Sequence, residues 1–504
     1  MRDVCSRSDD AVSQSAQSNR AGTFLFGREA LPPRWALAAA ASAFVFCATV
    51  SFPARILTSQ DLYLHIAVGR WILANGLVPD HGIFSAAMAA APWVAHEWLA
   101  AVGSALLYDH FGWGGILAAV AALLALAIGA LTLSIAPTLG PVASLCAAVL
   151  AWGLCVNHLV ARPHVASLPL LVIWLASHVR ARRDNTVPSF YLAPVVTLWA
   201  NLHGSFMFGL VFTALFAAEA MFESPTVRDA IAAGRRWGVF LGAGVAAAML
   251  TPYGLAGLLF PLRMMTLGPT LGMVQEWQPS TIANNAPLLV WSALLLFLAQ
   301  WQGVRLPISR LLMLMLLLTM AFAHRRHTEL LGLATPLLLQ FAIADVLSRT
   351  APGFTSQWGP LLRPAVRASM LGSALLAIGI FTFADCRDVV RKPDFYTPTA
   401  ALSAVEARGV HGPVLNTLNF GGYLVFRGYQ PFIDGRVELY GNEFIAQYRA
   451  LDQLSALLEH YRIAWTIFEP ANPRTTVMDN LPGWSRLYAD DVAVVHVREH
   501  VAPR

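Results

Sequence analysis

Long apolar runs separated by short polar stretches are the feature that most constrains how this chain folds. After Arg34 they recur along the sequence, and many approach the roughly 17 to 25 residues that a helix needs to cross a bilayer. Of the 504 residues, 57% are hydrophobic and only 12% are charged, whereas a soluble protein has about 25% charged residues. The mean hydropathy is +0.56. The sequence therefore predicts an α-helical polytopic membrane protein.

Charge and cysteine content argue against several other classes. The net charge is +5, but the arginines gather in short loops between apolar runs, which is the pattern that orients membrane helices. No nucleic-acid partner is predicted. The five cysteines lack CxxC spacing, so neither a disulfide framework nor a zinc site is expected. Residues 1–34 are polar and lack an early apolar core, which favours a disordered cytoplasmic tail.

Positive charges determine the expected topology. Arginines before the first run keep the N-terminus cytoplasmic, so the first helix, over 35–56, delivers the loop 58–98 to the outer side. The segment 97–112 would be about 24 Å long, short for a hydrocarbon core of about 30 Å. Counting it as non-crossing gives about 11 transmembrane helices, and if it does cross, a later break must be re-entrant. The other expected spans are 114–135, 141–160, 164–179, two within 190–222, 237–250, 288–301, 306–322, 330–347 and 365–383.

From residue 385 the composition changes to that of a soluble domain. Helices are expected at 397–408, 443–451 and 454–461, and short strands at GPVLNT, GGYLVFRG, PFIDGR, AWTIFEP and VAVVHVR. An odd number of crossings places this part outside the membrane. The predicted organisation is a cytoplasmic tail (1–34), a transmembrane domain (35–384) and a small extracytoplasmic α/β domain (385–504).

The first outer loop carries a dense set of ionisable side chains. Asp61 and His65 are four residues apart, so a helix would present both on one face. Such a helix would lie on the membrane surface and end near Gly76. His96 and Glu97 follow between two tryptophans, where the chain returns to the bilayer. The loop is thus predicted to present acids and imidazoles beside lipid.

The same topology places further polar residues on the outer side. An arginine on the side that the positive-inside rule disfavours is a functional candidate, and its natural partner is an anion such as lipid phosphate. Structural alternatives exist, since Arg162 could snorkel to head groups, Asn201 could satisfy backbone groups at a helix break, and Glu276 could neutralise the later arginines. The outer-side candidates for substrate binding, with those of the first loop, are His65, His96, Glu97, Arg162, His164, Asn201, His203, Glu276, Arg325, Arg326 and His327.

Several phrases of the sequence carry a family resemblance. They are QDLYLHIAVGRWILANGLVPDHGIFS, WVAHEWL, ARPH, LWANLHGSF, TPYG, QEW and NFGGYLVFRGYQPFIDGRVELYG. With the order of one helix, a large outer loop, many spans and an outer domain, the chain resembles a bacterial branch of the GT-C superfamily of integral membrane glycosyltransferases. That superfamily includes protein O-mannosyltransferases and aminoarabinose transferases. The resemblance covers nearly the whole chain after Arg34.

The resemblance implies transfer of a sugar from a polyprenyl-phosphate-type lipid to an unknown glycan, lipid or protein acceptor at the outer face of the bacterial cytoplasmic membrane. Asp61 matches the acidic residue of the first outer loop, which implies a general base for an inverting reaction. Arg162, Arg325 and Arg326 would then neutralise the departing phosphate. No cofactor is certain. Because Gln60 replaces the first of the paired acids found in many relatives, a divalent cation would need Glu97, Asp80 or Glu276 beside Asp61.

Two other functions remain open from the residues. A transporter or flippase of lipid-linked glycans would need charges near mid-span and matching halves, whereas the charges here lie at span ends. A non-catalytic membrane assembly protein would use the outer domain to hold a partner. In that domain Asp434, Arg436 and Glu438 could recognise an acceptor or dock onto the membrane loop, although Asp434-Gly435 is also an ordinary hairpin signal.

Overall fold

The computed structural model of this chain describes residues 32–272, 274–281, 283–300, 304, 306–351 and 358–499. The tail expected over 1–34 therefore lies almost entirely outside the described residues. The helices up to residue 386 are α1 (Pro33–Val50), α2 (Pro53–Ile56), α3 (Gln60–Asn75), α4 (Trp98–Val156), α5 (His164–Arg183), α6 (Ala193–Leu202), α7 (Phe206–Phe222), α8 (Val227–Ala248), α9 (Leu255–Met264), α10 (Gly268–Leu271), α11 (Ala286–Gln300), α12 (Ile308–Ala323), α13 (Thr328–Thr350) and α14 (Pro364–Phe381, continued by one π turn to Cys386).

Apolar helices dominate this part of the chain and confirm the predicted fold class. Within the described residues, five helical stretches are long and apolar enough to cross a membrane, and five shorter apolar helices accompany them. The protein is a multi-pass α-helical membrane protein, while the count of about 11 crossings stays a prediction. The five long stretches are Pro33–Val50, Trp98–Val156, His164–Arg183, Arg325–Thr350 and Pro364–Cys386.

The long helix α4 is broken at two glycines, between the segments 97–112, 114–135 and 141–160 that the sequence predicts to be separate. Gly112 (φ 60°) and Gly140 (φ 76°) adopt left-handed backbone conformations inside it, which glycine tolerates because it has no Cβ. The first break ends the short segment that begins at Trp98. The second lies beside Pro141, which cannot continue the backbone hydrogen bonds of the preceding turn. Together the breaks divide α4 into three rods.

The C-terminal part forms a small four-stranded mixed sheet with helices. Its strands are β1 (Val414–Asn416), β2 (Trp465–Phe468), β3 (Trp484–Ala489) and β4 (Val494–Arg498), in the order β1-β2-β4-β3. The pair β1–β2 is parallel and the other pairs are antiparallel. Its helices are α15 (Thr399–Ala407), α16 (Leu418–Phe426), α17 (Val437–Arg449), α18 (Leu454–His460) and α19 (Pro473–Asp479).

Two of the predicted strands are wrong and one strand was missed. GGYLVFRG belongs mainly to helix α16, and PFIDGR is a loop that leads into α17. The apolar run of α16 is buried on most sides, and periodicity alone does not separate a short buried strand from a buried helix. Strand β3 was missed because its exposed edge carries a mixture of polar and aromatic residues.

Helix α3 was expected to lie on the membrane surface. It is instead enclosed between other helices. One side packs against the start of α4 and the other against α16 of the C-terminal part. Two glycines permit this close approach, because a Cβ at Gly69 would collide with the carbonyl of Ala101 and a Cβ at Gly422 with that of Gln60. The C-terminal part is thereby fixed against the helix that carries Asp61.

Candidate active site

A cavity of about 400 Å³ lies where the first loop, the membrane helices and the C-terminal part meet. Helix α3 supplies Asp61 and His65 on one face, as their spacing predicted. The apolar wall comes from α5, α7 and α13. Its lining side chains there include Leu168, Leu171, Met207, Phe208 and Leu330. The cavity is therefore polar on the side of the loops and apolar on the side of the membrane helices.

A chain of alternating charges runs along the polar side. Arg162 Nη2 lies 2.8 Å from Asp61 Oδ2, and Arg162 Nη1 contacts Glu276. Glu276 Oε1 in turn lies 3.2 Å from Arg326 Nη1, and the Arg326 guanidinium lies 4.5 Å from the ring centre of Trp277. Guanidinium groups held in this way by carboxylates present planar N–H donors that also match phosphate oxygens.

Glu97 is the centre of a second cluster, formed by three histidines. Its carboxylate lies 3.5 Å from His65 Nε2, 3.6 Å from His96 Nε2 and 3.5 Å from His203 Nε2. Burial alone would raise the pKa of Glu97, but the imidazoles, His96 foremost, bring it well below its ordinary range. Burial would lower the pKa of His96, yet Glu97 raises it above the usual value. His65 and His203 have lowered pKa values because burial dominates there.

Two ionisable residues of the cavity lining were not identified from the sequence. Glu329 Oε1 accepts a hydrogen bond from His164 Nε2 at 3.3 Å, and His158 Nε2 lies 4.0 Å from Glu276 Oε2. Burial lowers the pKa of His158 well below its usual value. Their positions in the sequence could have indicated both residues. Glu329 begins an apolar span directly after the basic run, and His158 precedes Arg162 by four residues.

The C-terminal part closes one side of the cavity with the turn Gly435-Arg436-Val437-Glu438. Asp434 is fully buried and accepts hydrogen bonds from Arg436 Nε and Nη2 at 2.9 and 2.6 Å. Glu438 Oε1 accepts a hydrogen bond from the Trp93 indole at 3.1 Å, and burial raises the pKa of Glu438. A Cβ on Gly435 would collide with Asp61 Oδ1. Asp434-Gly435 lies in the loop that leads into helix α17 and not in a hairpin.

Most candidate residues meet at this cavity, and two do not. Asn201 accepts a hydrogen bond from the Trp98 indole at 2.8 Å and donates hydrogen bonds to the carbonyls of Thr197 and Leu250. Its amide therefore satisfies backbone groups near a helix break, which is the structural alternative given above for this residue. The Arg325 side chain does not line the cavity either, because the short 3₁₀ turn 325–327 points Arg326 and His327 inward instead. The candidates that line it are Asp61, His65, His96, Glu97, Arg162, His164, His203, Glu276, Arg326 and His327.

The side chains proposed as ligands of a divalent cation do not converge. Asp80 is 84% exposed and pairs with His81 outside the cavity. Asp61 and Glu276 are joined through Arg162, and a guanidinium between two carboxylates occupies the place where a shared cation would lie. In the described part of the chain, no group of three or more His, Cys, Asp and Glu side chains could hold a metal ion. These residues do not fit such a site.

Comparisons with known proteins agree with this architecture. No protein-family model and no curated protein sequence matches the chain. Among solved structures, the archaeal oligosaccharyltransferase AglB from Archaeoglobus fulgidus, in complex with an inhibitory peptide and a dolichol-phosphate, aligns with a TM-score of 0.53 at 12% identity, covering 86% of this chain and 69% of that one. Its apo form aligns with a TM-score of 0.50 at 11% identity and the same coverage. ArnT from Cupriavidus metallidurans, bound to undecaprenyl phosphate, aligns with a TM-score of 0.46 at 14% identity, covering 91% of this chain and 97% of that one. The chain therefore shares its fold with the AglB structures.

Proposed function

We propose that this protein is an inverting glycosyltransferase that moves a sugar from a polyprenyl-phosphate-type lipid to an acceptor at the outer face of the bacterial cytoplasmic membrane. The observation that carries the proposal is the pairing of Asp61 with Arg162 at 2.8 Å, at the boundary between the charged and apolar walls of one cavity. A carboxylate and a guanidinium side by side suit proton removal and phosphate departure in the same step. The AglB structure, which shares this fold and contains dolichol-phosphate, supports a lipid-linked donor.

In the proposed reaction, Asp61 accepts the proton of an acceptor hydroxyl while that oxygen attacks the anomeric carbon. The bond from the anomeric carbon to the phosphate oxygen breaks, and the phosphate leaves with the electron pair. Because attack and departure occur on opposite faces of the sugar, the anomeric configuration inverts. Arg162 and Arg326 neutralise the charge that develops on the phosphate. The apolar wall of α5, α7 and α13 accommodates the polyprenyl chain.

The proposal is tested in a deletion strain complemented by wild type, Asp61→Asn or Asp80→Asn. Asp80 belongs to the same loop but is exposed and outside the cavity, which makes it the matched control. We expect Asp61→Asn to abolish the surface glycan and leave polyprenyl-linked sugar accumulated, while Asp80→Asn restores both profiles. Identical glycan and lipid-linked sugar profiles in all strains would refute a transferase.

Asp61→Asn also separates this function from the two alternatives. A non-catalytic assembly protein should tolerate the substitution, provided that the protein level is unchanged. Deletion of the C-terminal part is a weaker test, because that part covers helix α3 and its loss would disturb the site in any mechanism. If the protein is a flippase, its inactivation should instead leave the donor accumulated in the inner leaflet. The lipid-linked sugar would then be protected from an impermeant label added at the outer face.

A further inference from the structure

A second cavity, of about 470 Å³, lies at the opposite end of helix α5 from the candidate active site. Helix α5 begins at His164, which lines the first cavity, and ends at Arg183, which lines the second. A helix of this length spans about 30 Å, the thickness of the hydrocarbon core. The two cavities therefore lie at opposite faces of the membrane, and the second lies on the side that the sequence predicts to be cytoplasmic.

The second cavity is basic at its rim and apolar within. Three arginines contribute to it, from the start of α1 and the end of α5, and no lining residue is acidic. The Arg183 guanidinium lies 5.0 Å from the ring centre of Phe341, which holds it over the cavity wall. The apolar part of the lining includes Trp35, Leu133, Ala176, Val179 and Phe341.

Neighbouring arginines at this membrane face already have carboxylate partners. Arg182, between two of the cavity arginines, pairs with Glu219 and Glu223 at 3.3 and 2.6 Å. Arg310 pairs with the buried Glu219 at 3.2 Å. By contrast, in the part of the chain that the structure describes, no ion pair includes the arginines of the second cavity. Glu219 and Glu223 are thus already occupied, and Asp184, which follows Arg183 at the end of α5, forms no ion pair with it.

This arrangement favours an external anion. The positive-inside rule accounts for arginines at this face, but it does not account for three of them around one cavity without an acid. Guanidinium groups gathered around one cavity repel one another, and a phosphate relieves that cost by accepting several charge-assisted hydrogen bonds. Basic pockets between membrane helices on the cytoplasmic side are suited to anionic lipid head groups.

We propose that the second cavity binds the phosphate head group of an anionic phospholipid. Arg180 and Arg183 contact the phosphate, Arg34 completes the rim, and Trp35 anchors the interface as indole side chains do at membrane boundaries. The apolar lining formed by Leu133, Ala176 and Val179 receives the start of an acyl chain. The bound lipid then joins α1, α4, α5 and α13 at the face opposite the candidate active site.

The test uses the full-length protein in nanodiscs of phosphatidylcholine with a minor fraction of phosphatidylglycerol, with retained lipid measured by native mass spectrometry. The double variant R180Q/R183Q removes two cavity charges. The matched control R235Q/R236Q removes two exposed charges from helix α8 that do not line the cavity. At about fivefold per arginine near an anionic lipid, we expect phosphatidylglycerol retention to fall about thirtyfold in R180Q/R183Q and to stay within about twofold in R235Q/R236Q.

Equal retention in the two double variants, or equal retention of phosphatidylcholine by wild type, would overturn the proposal. Displacement of the lipid by millimolar inorganic phosphate would overturn it in favour of a soluble phosphate ligand. Thermal unfolding in pure phosphatidylcholine should be the same for wild type and both double variants. If R180Q/R183Q does not fold, the single variant Arg34→Gln at the exposed start of α1 serves instead, with about a fivefold loss expected and no loss overturning the proposal.

Discussion

Substitution of Gly435 by alanine should disable the candidate base without unfolding the protein. A Cβ at this position would collide with Asp61 Oδ1. The backbone of Gly435 is not in the left-handed region, so alanine adds no backbone strain there. The new methyl group must therefore displace the carboxylate, by about 1 Å if ordinary van der Waals separation is to be restored. That movement would disturb the pairing of Asp61 with Arg162.

The magnitude follows from the positional demands of catalysis. A misplacement of about 1 Å at a reacting group costs about 10²-fold in rate, equivalent to about 2.7 kcal/mol of transition-state stabilisation. We expect Gly435→Ala to lower transfer about 100-fold, measured as the rate at which polyprenyl-linked sugar disappears from membranes of the complemented deletion strain. Thermal stability should change by less than about 1 kcal/mol.

A control and a double variant make this expectation refutable. At Gly103, in the first rod of α4, a Cβ would meet nothing within 4 Å, so Gly103→Ala should transfer sugar at the wild-type rate. If Gly435 acts through Asp61, the double variant Gly435→Ala/Asp61→Asn should be no worse than Asp61→Asn alone, because the two changes remove one function. Wild-type transfer by Gly435→Ala would refute the placement of the base.

Two further outcomes follow from buried charges outside the membrane spans. Asp434→Asn leaves the Arg436 guanidinium, whose side chain is 3% exposed, without its counter-ion. We expect it to lower the free energy of unfolding by about 3–5 kcal/mol. The expectation is contradicted if this loss is smaller than the loss caused by breaking the exposed ion pair Arg427–Glu406. The raised pKa of His96 and the lowered pKa of Glu97 mean that their pairing stabilises most between the ordinary glutamate and histidine pKa values, about 4.3 and 6.5, and fades as pH rises through the raised pKa of His96. Glu97→Gln should therefore reduce the Tm most near pH 5.5 and progressively less towards pH 9, and a pH-independent reduction would contradict this pairing.

Much of the candidate site was predictable from the sequence because membrane topology is a global constraint. Each crossing alternates the side of the next loop, so charge counting placed the residues around Arg162, His203, Glu276 and Arg326 on the side of Asp61. The structure brings all five to one cavity. The alternation of loops specifies only the side of the membrane on which each residue lies. In a compact helical bundle with one large cavity on that side, few other places can hold these polar groups.

The finer arrangement was not predictable, for physical reasons that differ from residue to residue. The inward or outward direction of Arg325 and Arg326 depends on the 3₁₀ turn that they form, and neighbouring identical residues give no signal for it. The contact of Gly435 with Asp61 joins residues far apart in sequence through the packing of α16 against α3. The strand expected at GGYLVFRG became a helix because burial on several sides, rather than local propensity, decides the conformation of such an apolar run.

The charge balance of the cavity constrains how the proposed donor would bind. Five carboxylates line it, those of Asp61, Glu97, Glu276, Glu329 and Glu438, against three guanidiniums, those of Arg162, Arg326 and Arg436. An entering phosphate adds negative charge, so under the proposed function it must replace a carboxylate contact rather than join the existing set. Glu276 is the carboxylate to be replaced, because it alone of these five contacts both Arg162 and Arg326. Under that function Glu276 acts as the internal counter-ion that keeps Arg162 and Arg326 together, and its exchange for phosphate would leave the contact of Arg162 with Asp61 in place.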